Sequence, residues 1–359
     1  MKNIRISIAC SAFILIMLGV VFVYSASAIY AYDNFGDEFY FLKKHVLALM
    51  IGFILSFMAM SLDLKFIRNN VKFVLIIAFI LLALVLVPGI GINAGGARRW
   101  IDLALFNLQP SEIAKIAVIL YLADFLERKS SKINSLIQVY LPAMTVVGII
   151  MLIILIEPDL GTAMTIGAVG IIMLFISGAR FKHILSTFLL TVPFLSYMIL
   201  STPYRKKRLL AFLNPWTDER GVGFQIVQSF LALGSGGLLG VGLGQSKQKL
   251  FFLPASHNDF IFSIIGEELG FLGTTSIMLL FAVIFWQGAR AAFKAEDIFR
   301  KYLIFGIAFT IGFEVILNTG VATGLLPTKG MPLPFLSYGG TSLVMHMVAV
   351  ALLLNAARH

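Results

Sequence analysis

The chain has 359 residues, of which 59% are hydrophobic and only 13% are charged, against about 25% charged in an average soluble protein. A soluble core cannot absorb so much apolar surface, so the composition predicts an all-α polytopic membrane protein and excludes a soluble domain. The formal net charge is +10, but the basic residues are spread over loops on both sides of the predicted spans, which argues against nucleic-acid binding.

Ten apolar stretches are long enough to span a bilayer, which takes about 20 residues of helix. They lie near residues 6–28, 45–63, 72–89, 110–127, 137–156, 159–178, 183–200, 261–287, 302–323 and 338–357. The first stretch resembles a signal peptide, but its apolar run exceeds the roughly 7–15 residues of such a peptide, so we expect it to remain uncleaved. Its Cys10 is the single cysteine of the chain, which excludes a disulfide framework. We expect one transmembrane domain over residues 1–359.

The distribution of basic residues predicts the orientation of these spans. With the N-terminus inside, fifteen Lys and Arg residues lie at the inner ends of the spans and five lie in the short outer loops. Cytoplasmic loops carry the excess of basic residues, and long loops are left out of the comparison. Both termini are therefore predicted to be cytoplasmic, and the long polar loop at about 201–260, between the seventh and eighth spans, is predicted to be extracytoplasmic.

This long loop is glycine-rich and mostly non-helical in pattern. Its run of glycines at residues 234–244 lacks the lysine and hydroxyl spacing of a phosphate-binding P-loop, and no predicted strand precedes it. The run therefore predicts a flexible or re-entrant turn. Long loops on a membrane protein with otherwise short connections are where function is expected.

The loop ends in His257-Asn-Asp259, directly before the eighth span. His257 and Asp259 could be two ligands of a metal, although no third ligand is adjacent. Asp259 could instead cap the helix that follows, as Asp commonly does, or act as a general base at the level of the lipid headgroups. We favour the base.

Charged residues also cluster around the fourth span. Arg99 and Trp100 precede it, and an arginine there could bind a phosphate, whereas a tryptophan could simply anchor the interface. Pro110 fits the first turn of the helix. Glu112 and Lys115 are three residues apart and share one helix face, as a structural ion pair or as part of a cavity.

Further carboxylates lie near the outer side. Asp159 precedes the sixth span and is predicted to be its N-cap, without excluding a role in a cavity. Of Glu267 and Glu268 in the eighth span, one or both must face protein rather than lipid. Glu314 and His346 add polar groups to the last two spans, and a structural role would account for them.

Taken together, these stretches resemble the SEDS family (shape, elongation, division and sporulation proteins), the RodA and FtsW proteins of bacteria, over almost the whole chain. Asn258 stands where the family pattern has Thr, which puts no role in doubt. Residues 327–330 resemble the division-type FtsW branch, and a sporulation paralogue would look much the same. The matching stretches are Ala97-Arg-Arg-Trp-Ile-Asp102, Gln109-Pro-Ser-Glu-Ile-Ala-Lys115, Glu157-Pro-Asp-Leu-Gly-Thr162, Asn214-Pro-Trp216, Gly223-Phe-Gln-Ile-Val-Gln-Ser229, His257-Asn-Asp-Phe-Ile-Phe262, Gly266-Glu-Glu-Leu-Gly270 and Ser337-Tyr-Gly-Gly340.

The resemblance implies a peptidoglycan glycosyltransferase that polymerises lipid II, an undecaprenyl-pyrophosphate-linked disaccharide pentapeptide, in the bacterial cell membrane at the division septum. It implies that Asp259 is the catalytic residue, which deprotonates the 4-hydroxyl of the acceptor sugar. It also implies that Arg99, Trp100, Glu112 and Lys115 line or support the cavity. We add Asp159 and His257 as substrate-binding candidates.

The implied reaction is an inverting glycosyl transfer. Arg99, Lys115 or the basic run at residues 205–208 would meet the charge of the departing pyrophosphate. No nucleotide or organic cofactor is expected because the donor is already activated, and the sequence leaves open a divalent cation, Mg²⁺ or Mn²⁺, on the pyrophosphate. The implied partner is a class B penicillin-binding protein, a transpeptidase. The alternatives are a lipid II flippase, which would need access from both faces, and a non-enzymatic division scaffold, which would tolerate changes at Asp259.

Overall fold

A computed structural model describes most of the chain. The described residues are 1–94, 97–103, 107–201, 210–218, 221, 223–250, 252–254, 256–328 and 330–358. The basic run at residues 205–208 and Lys329 of the FtsW-like stretch lie outside them.

The described residues are mostly helical, with one small sheet. The strands are β1 (Gly91–Ala94), β2 (Ala97–Asp102) and β3 (Asn107–Leu108). The helices whose bounds are described are α1 (Lys2–Phe35), α2 (Tyr40–Ser61), α3 (Leu64–Asn69), α4 (Val71–Leu86), α5 (Pro110–Arg128), α6 (Leu141–Ile156), α7 (Leu160–Ile176), α8 (Phe181–Leu200), α9 (Phe224–Gly236), α10 (Ile261–Lys294), α11 (Ile298–Ala322) and α12 (Gly340–Ala356).

Each of the ten predicted spans coincides with a helix, so the polytopic all-α membrane fold is confirmed. By length and composition, five described helical segments of at least 18 residues are apolar enough to cross a membrane: α1, α2, residues 136–156, α10 and α11. Many apolar side chains lie on the outside of the helices, such as Phe53 and Phe57 of α2, which are 70% and 68% exposed. In a bilayer these faces meet lipid rather than water.

The small sheet connects α4 to α5 and positions part of the site. Its strands are ordered β1-β2-β3, and both pairings are antiparallel. A register shift between Ile92 and Asn93 interrupts the β1–β2 pairing, as expected for a β-bulge. The sequence patterns do not predict this sheet. It brings Arg99 and Trp100 of β2 to the N-terminal end of α5.

The protein interior is centred on α5, which packs against α4, α7, α11 and α12. Nearly every residue of α5 from Pro110 to Leu126 is buried, including Glu112 and Lys115. A helix enclosed on all sides cannot direct its charged side chains to lipid or water. These charges must therefore find partners inside the protein.

The long loop folds back onto α10. Residues 210–213 are helical, a 3₁₀ helix covers Pro215–Asp218, and α9 follows. The expectation of a mostly non-helical loop is therefore wrong for these parts of it. The glycine run that follows donates backbone hydrogen bonds from Val241 to Glu267 O (3.0 Å) and from Gly242 to Glu268 O (3.1 Å). In return, Phe271 N–H donates to Gly237 O at 2.9 Å. α10 breaks at Gly270, where φ is +66°, and this break makes its backbone groups available to the loop.

Two carboxylates fix the same loop to the helices. Glu267 and Glu268 are 2% and 0% exposed, so the prediction that they face protein is confirmed. Glu268 pairs with Lys249 at 2.9 Å and accepts a hydrogen bond from Ser25 of α1 at 2.7 Å. Glu267 accepts from Ser246 at 2.5 Å. The glycine run is thus a packed re-entrant segment, not a free turn.

Replacement of Gly240 by alanine tests this packing. Gly240 has a φ of +83°, and a Cβ there would lie 2.2 Å from Glu268 O. Left-handed backbone strain and overpacking together should lower the free energy of unfolding by about 2 kcal/mol or more. We expect a lower melting temperature for Gly240→Ala in detergent.

The matched control is Gly234→Ala. Gly234 lies in α9, and nothing lies within 4 Å of the Cβ position. Alanine is the better helix former by about 1 kcal/mol, so this variant should melt at the same or a higher temperature. Equal melting of the two variants would contradict the docked loop.

Candidate active site

A cavity of about 540 Å³ opens between the small sheet, the turn before α10 and the ends of several helices. It is lined by five of the seven residues singled out from the sequence: Arg99, Trp100, Glu112, Lys115 and Asp259. The two remaining candidates, Asp159 and His257, do not line it. The fold therefore gathers side chains from β2, α5 and the turn at residues 256–260 around one space.

Asp259 presents its carboxylate to this cavity. The side chain is partly exposed, and among the described residues none makes a hydrogen bond or ion pair with its carboxylate. The N-cap position of α10 is held by Phe260, without a side-chain cap. The capping role considered for Asp259 is therefore not what the structure shows, and its oxygens are free to accept a proton.

The surroundings of Asp259 shift its proton affinity. Its pKa is raised to about 6, chiefly by burial; the positive charge of Arg99 opposes this shift, and the negative charge of Asp159 adds to it. With this pKa, about nine tenths of the Asp259 side chains are ionised at pH 7. The ionised carboxylate is nevertheless a stronger base than that of an ordinary aspartate. The site thus contains a carboxylate suited to general-base chemistry near neutral pH.

The backbone of Asp259 is held by Asn318 of α11, which the sequence patterns do not single out. The Asn318 amide donates to Asp259 O at 2.9 Å and to Met331 O at 2.7 Å. Asn318 is only 2% exposed, so this buried amide ties the turn to α11 and to the segment at Met331. The signal that could have found it is an Asn within an apolar span, which is costly unless it has such partners.

His257 lies behind the cavity lining, in an aromatic cluster. Its ring centroid is 4.7 Å from that of Phe41, 5.6 Å from that of Tyr30 and 6.0 Å from that of Tyr338. Burial lowers the pKa of His257 to about 4, so the ring is neutral at pH 7. Its backbone carbonyl accepts from Tyr338 N–H at 2.9 Å. The structure therefore gives His257 a packing position beside Asp259.

Arg99 anchors β2 to the turn between α6 and α7. Its guanidinium donates to Glu157 O at 3.0 Å and also to Pro158 O. Asp159 caps α7 by accepting from Thr162 N–H at 3.1 Å and from the Thr162 hydroxyl at 2.8 Å. The predicted cap is confirmed. Asp159 also accepts from Gln109 Nε2 at 3.4 Å, and Gln109 lines the cavity, so Asp159 acts on the cavity through this neighbour and through its charge.

A chain of charged groups extends beneath the cavity. Lys115 pairs with Glu112 at 2.9 Å, so the predicted pair is confirmed. Lys115 also contacts Glu314 of α11, whose other oxygen lies 2.5 Å from His346 Nε2. His346 Nδ1 lies 2.6 Å from Ser342 O. Glu314 and His346 belong to this network, which their positions in sequence do not reveal.

Metal binding finds no further support in the described part of the chain. No group of three or more His, Cys, Asp or Glu side chains lies there in a geometry that could hold a metal ion.

The network predicts unequal effects for its members. Lys115→Met strands two buried carboxylates, whereas Glu112→Gln leaves the Lys115–Glu314 pair in place. Breaking a buried pair costs about 3–5 kcal/mol, so Lys115→Met should lower the melting temperature in detergent more than Glu112→Gln. The control is Lys72→Met, at an exposed position of α4, which should melt like the wild type. Equal melting of Lys115→Met and Lys72→Met would contradict the network.

Comparison with known proteins assigns a family model to nearly the whole chain. The model for the FtsW, RodA and SpoVE proteins, described as "Cell cycle protein", matches residues 5–359. A probable peptidoglycan glycosyltransferase FtsW of Geobacter metallireducens is 47% identical over 94% of this chain and 90% of its own. The stage V sporulation protein E of Bacillus subtilis is 45% identical over 96% of this chain and 94% of its own.

Solved structures give the same picture for the fold. A chain of a peptidoglycan synthase complex that coordinates polymerisation and crosslinking superposes with a TM-score of 0.78 and 27% identity, covering 98% of this chain and 96% of that chain. The rod shape determining protein RodA of Thermus thermophilus superposes with a TM-score of 0.71 and 25% identity, covering 98% and 95%.

Proposed function

The chain belongs to the FtsW, RodA and SpoVE family of cell cycle proteins, and we propose that it is a peptidoglycan glycosyltransferase that polymerises lipid II into glycan strands. The observation that carries this proposal is the Asp259 carboxylate, which faces the cavity without a partner among the described residues and whose pKa burial raises to about 6. The names of the relatives at 45–47% identity support a role in cell division or sporulation.

The reaction is an inverting glycosyl transfer. The 4-hydroxyl of the acceptor sugar attacks the anomeric carbon of the lipid-linked donor sugar, and Asp259 accepts the hydroxyl proton. The new glycosidic C–O bond forms as the bond to the pyrophosphate breaks, and the electron pair leaves with undecaprenyl pyrophosphate. The donor is already activated, so no step requires a nucleotide or redox cofactor.

The other site residues divide into those on the cavity surface and those behind it. Arg99 and Trp100 line the cavity and are positioned to contact the substrate. Lys115, with its carboxylate partners, supports the cavity floor. Asp159 and His257 lie behind the lining, so they tune the charge and the position of Asp259.

The proposal includes an orientation of the chain in the membrane and a protein partner. In this proposal both termini are cytoplasmic, residues 1–359 form a single transmembrane domain, the loop at about 201–260 lies outside, and the protein works in the cell membrane at the division septum. The partner is a class B penicillin-binding protein, which would crosslink the strands that this chain polymerises. The support for it is the similarity to a chain of a synthase complex that coordinates both activities.

Asp259→Asn tests the assignment of the base. The amide has nearly the same shape but cannot accept the proton, so glycan synthesis should fall by about two orders of magnitude or more. The measurement is gel analysis of glycan strands made from lipid II by the purified protein, with and without the class B partner.

Asp33→Asn is the matched control, because Asp33 is exposed at the end of α1 and does not line the cavity. It should polymerise like the wild type, and both variants should melt alike. Polymerisation by Asp259→Asn at a near wild-type rate would remove the base from the mechanism. A wild-type protein that makes no glycan with its partner would favour a flippase or scaffold.

Cysteine labelling tests the orientation. Thr217 and Ser131 are both exposed, in the long loop and after α5 respectively. In a Cys10→Ala background, Thr217→Cys should react with a membrane-impermeant maleimide in intact spheroplasts, and Ser131→Cys only after lysis. The reverse pattern would place Asp259 on the cytoplasmic side, where flipped lipid II is absent.

A further inference from the structure

In the proposed reaction the departing pyrophosphate needs a nearby cation. Most of the cationic side chains that line the cavity in the described residues already have partners within the protein. Within the described part of the chain, three cationic side chains line the cavity: Lys44, Arg99 and Lys115. Lys115 already contacts the carboxylates of Glu112 and Glu314, so its charge is compensated inside the protein. A cation placed between two carboxylates attracts a further anion only weakly.

The guanidinium of Arg99 also has partners within the protein already. It donates to the backbone oxygens of Glu157 and Pro158, and its charge acts on Asp259. An anion that took over these donors would release the turn between α6 and α7 and raise the proton affinity of the base. Arg99 is therefore better suited to holding the site together than to receiving the leaving group.

Lys44 differs from both. It is exposed at the outer end of α2, and no acidic group of the described residues pairs with it. Its ammonium donates to the Tyr40 hydroxyl at 2.7 Å and lies 4.3 Å from the centroid of the Tyr40 ring. Tyr40 is in turn stacked on Phe35, with ring centroids 4.0 Å apart. A neutral aromatic group thus positions the ammonium without compensating its charge.

We propose that Lys44 binds the pyrophosphate of the lipid-linked substrate at the mouth of the cavity, an inference that rests on the proposed function. An ammonium has three donors; one is used by Tyr40 and two remain for phosphate oxygens. A lysine at the end of a spanning helix lies at headgroup level, where the pyrophosphate of a lipid anchored by its tail must also lie. The sugars can then reach Asp259 inside the cavity.

The neighbouring Lys43 provides a matched control. It carries the same charge on the same helix and is also exposed, but it pairs with Asp37 at 2.7 Å and does not line the cavity. Any effect of net surface charge on an anionic lipid should therefore appear equally in Lys43→Gln and Lys44→Gln. An effect confined to Lys44 identifies a specific contact.

The first experiment measures the Kd of undecaprenyl pyrophosphate for the purified protein in detergent. Loss of one charge-assisted contact should raise this Kd about tenfold in Lys44→Gln. Lys44→Arg should keep most of the affinity, Tyr40→Phe should lose part of it, and Lys43→Gln should bind like the wild type. An unchanged Kd in Lys44→Gln, or an equal loss in Lys43→Gln, would overturn the proposal.

The second experiment identifies which substrate supplies the pyrophosphate. A lipid II methylated at the 4-hydroxyl can act only as a donor, and a phosphonate analogue that cannot lose its pyrophosphate can act only as an acceptor. The contact predicts that Lys44→Gln weakens inhibition of polymerisation by one of these analogues about tenfold. A loss with the methylated compound assigns Lys44 to the donor, a loss with the phosphonate assigns it to the acceptor, and no loss with either would contradict the contact.

The two experiments separate this inference from the proposed function. Binding of undecaprenyl pyrophosphate that depends on Lys44, in a protein that makes no glycan, would support the contact and contradict the polymerase. If the protein polymerises lipid II but Lys44→Gln binds undecaprenyl pyrophosphate like the wild type, the polymerase is supported and the Lys44 contact is contradicted.

Discussion

Lys115 carries a positive charge in the interior of a membrane protein, and the carboxylates of Glu112 and Glu314 make its burial tolerable. A charge within a span is costly unless it is paired. Because Glu314 comes from α11 and is itself in contact with His346 of α12, the ion pairs hold three helices at fixed positions. The cavity lies directly above this junction, so its floor is set by the requirement to pair one lysine.

Asp259, in contrast to Lys115, lines the same cavity with a charge that is unpaired in the described part of the chain. The protein pairs the charges of the floor but leaves the Asp259 carboxylate without a hydrogen bond or ion pair among the described residues. Its backbone, by contrast, is held firmly by Asn318. Burial raises the proton affinity of this carboxylate, and the fixed backbone keeps it at the cavity. This separation of paired and unpaired charge is what allows one cavity to contain a base and a cationic floor.

Hydropathy and spacing were sufficient to predict the ten spans, the Glu112–Lys115 pair and the position of Asp259 at the end of a loop. The partners of Lys115 were not predictable, since Glu314 lies 199 residues further along the chain and only the packing of α11 on α5 brings it close. The sheet was missed because β2 is short and contains two arginines, which obscure any alternation. Proximity in sequence to Asp259 could not show that the side chain of His257 points away from the cavity.

The most direct test of the account is the pH dependence of kcat/KM for polymerisation between pH 5 and 8. Burial raises the pKa of Asp259 to about 6, and the base must be ionised to work, so the rate should fall as the pH drops through 6, by about tenfold between pH 7 and 5. The groups facing Asp259 are Arg99, which lowers this pKa, and Asp159, which raises it. In Asp159→Asn, which keeps an N-cap residue for α7 but removes the charge, the acidic limb should move to lower pH. A rate that is flat across this range, or a limb that stays in place in Asp159→Asn, would contradict a partly buried Asp259 as the base.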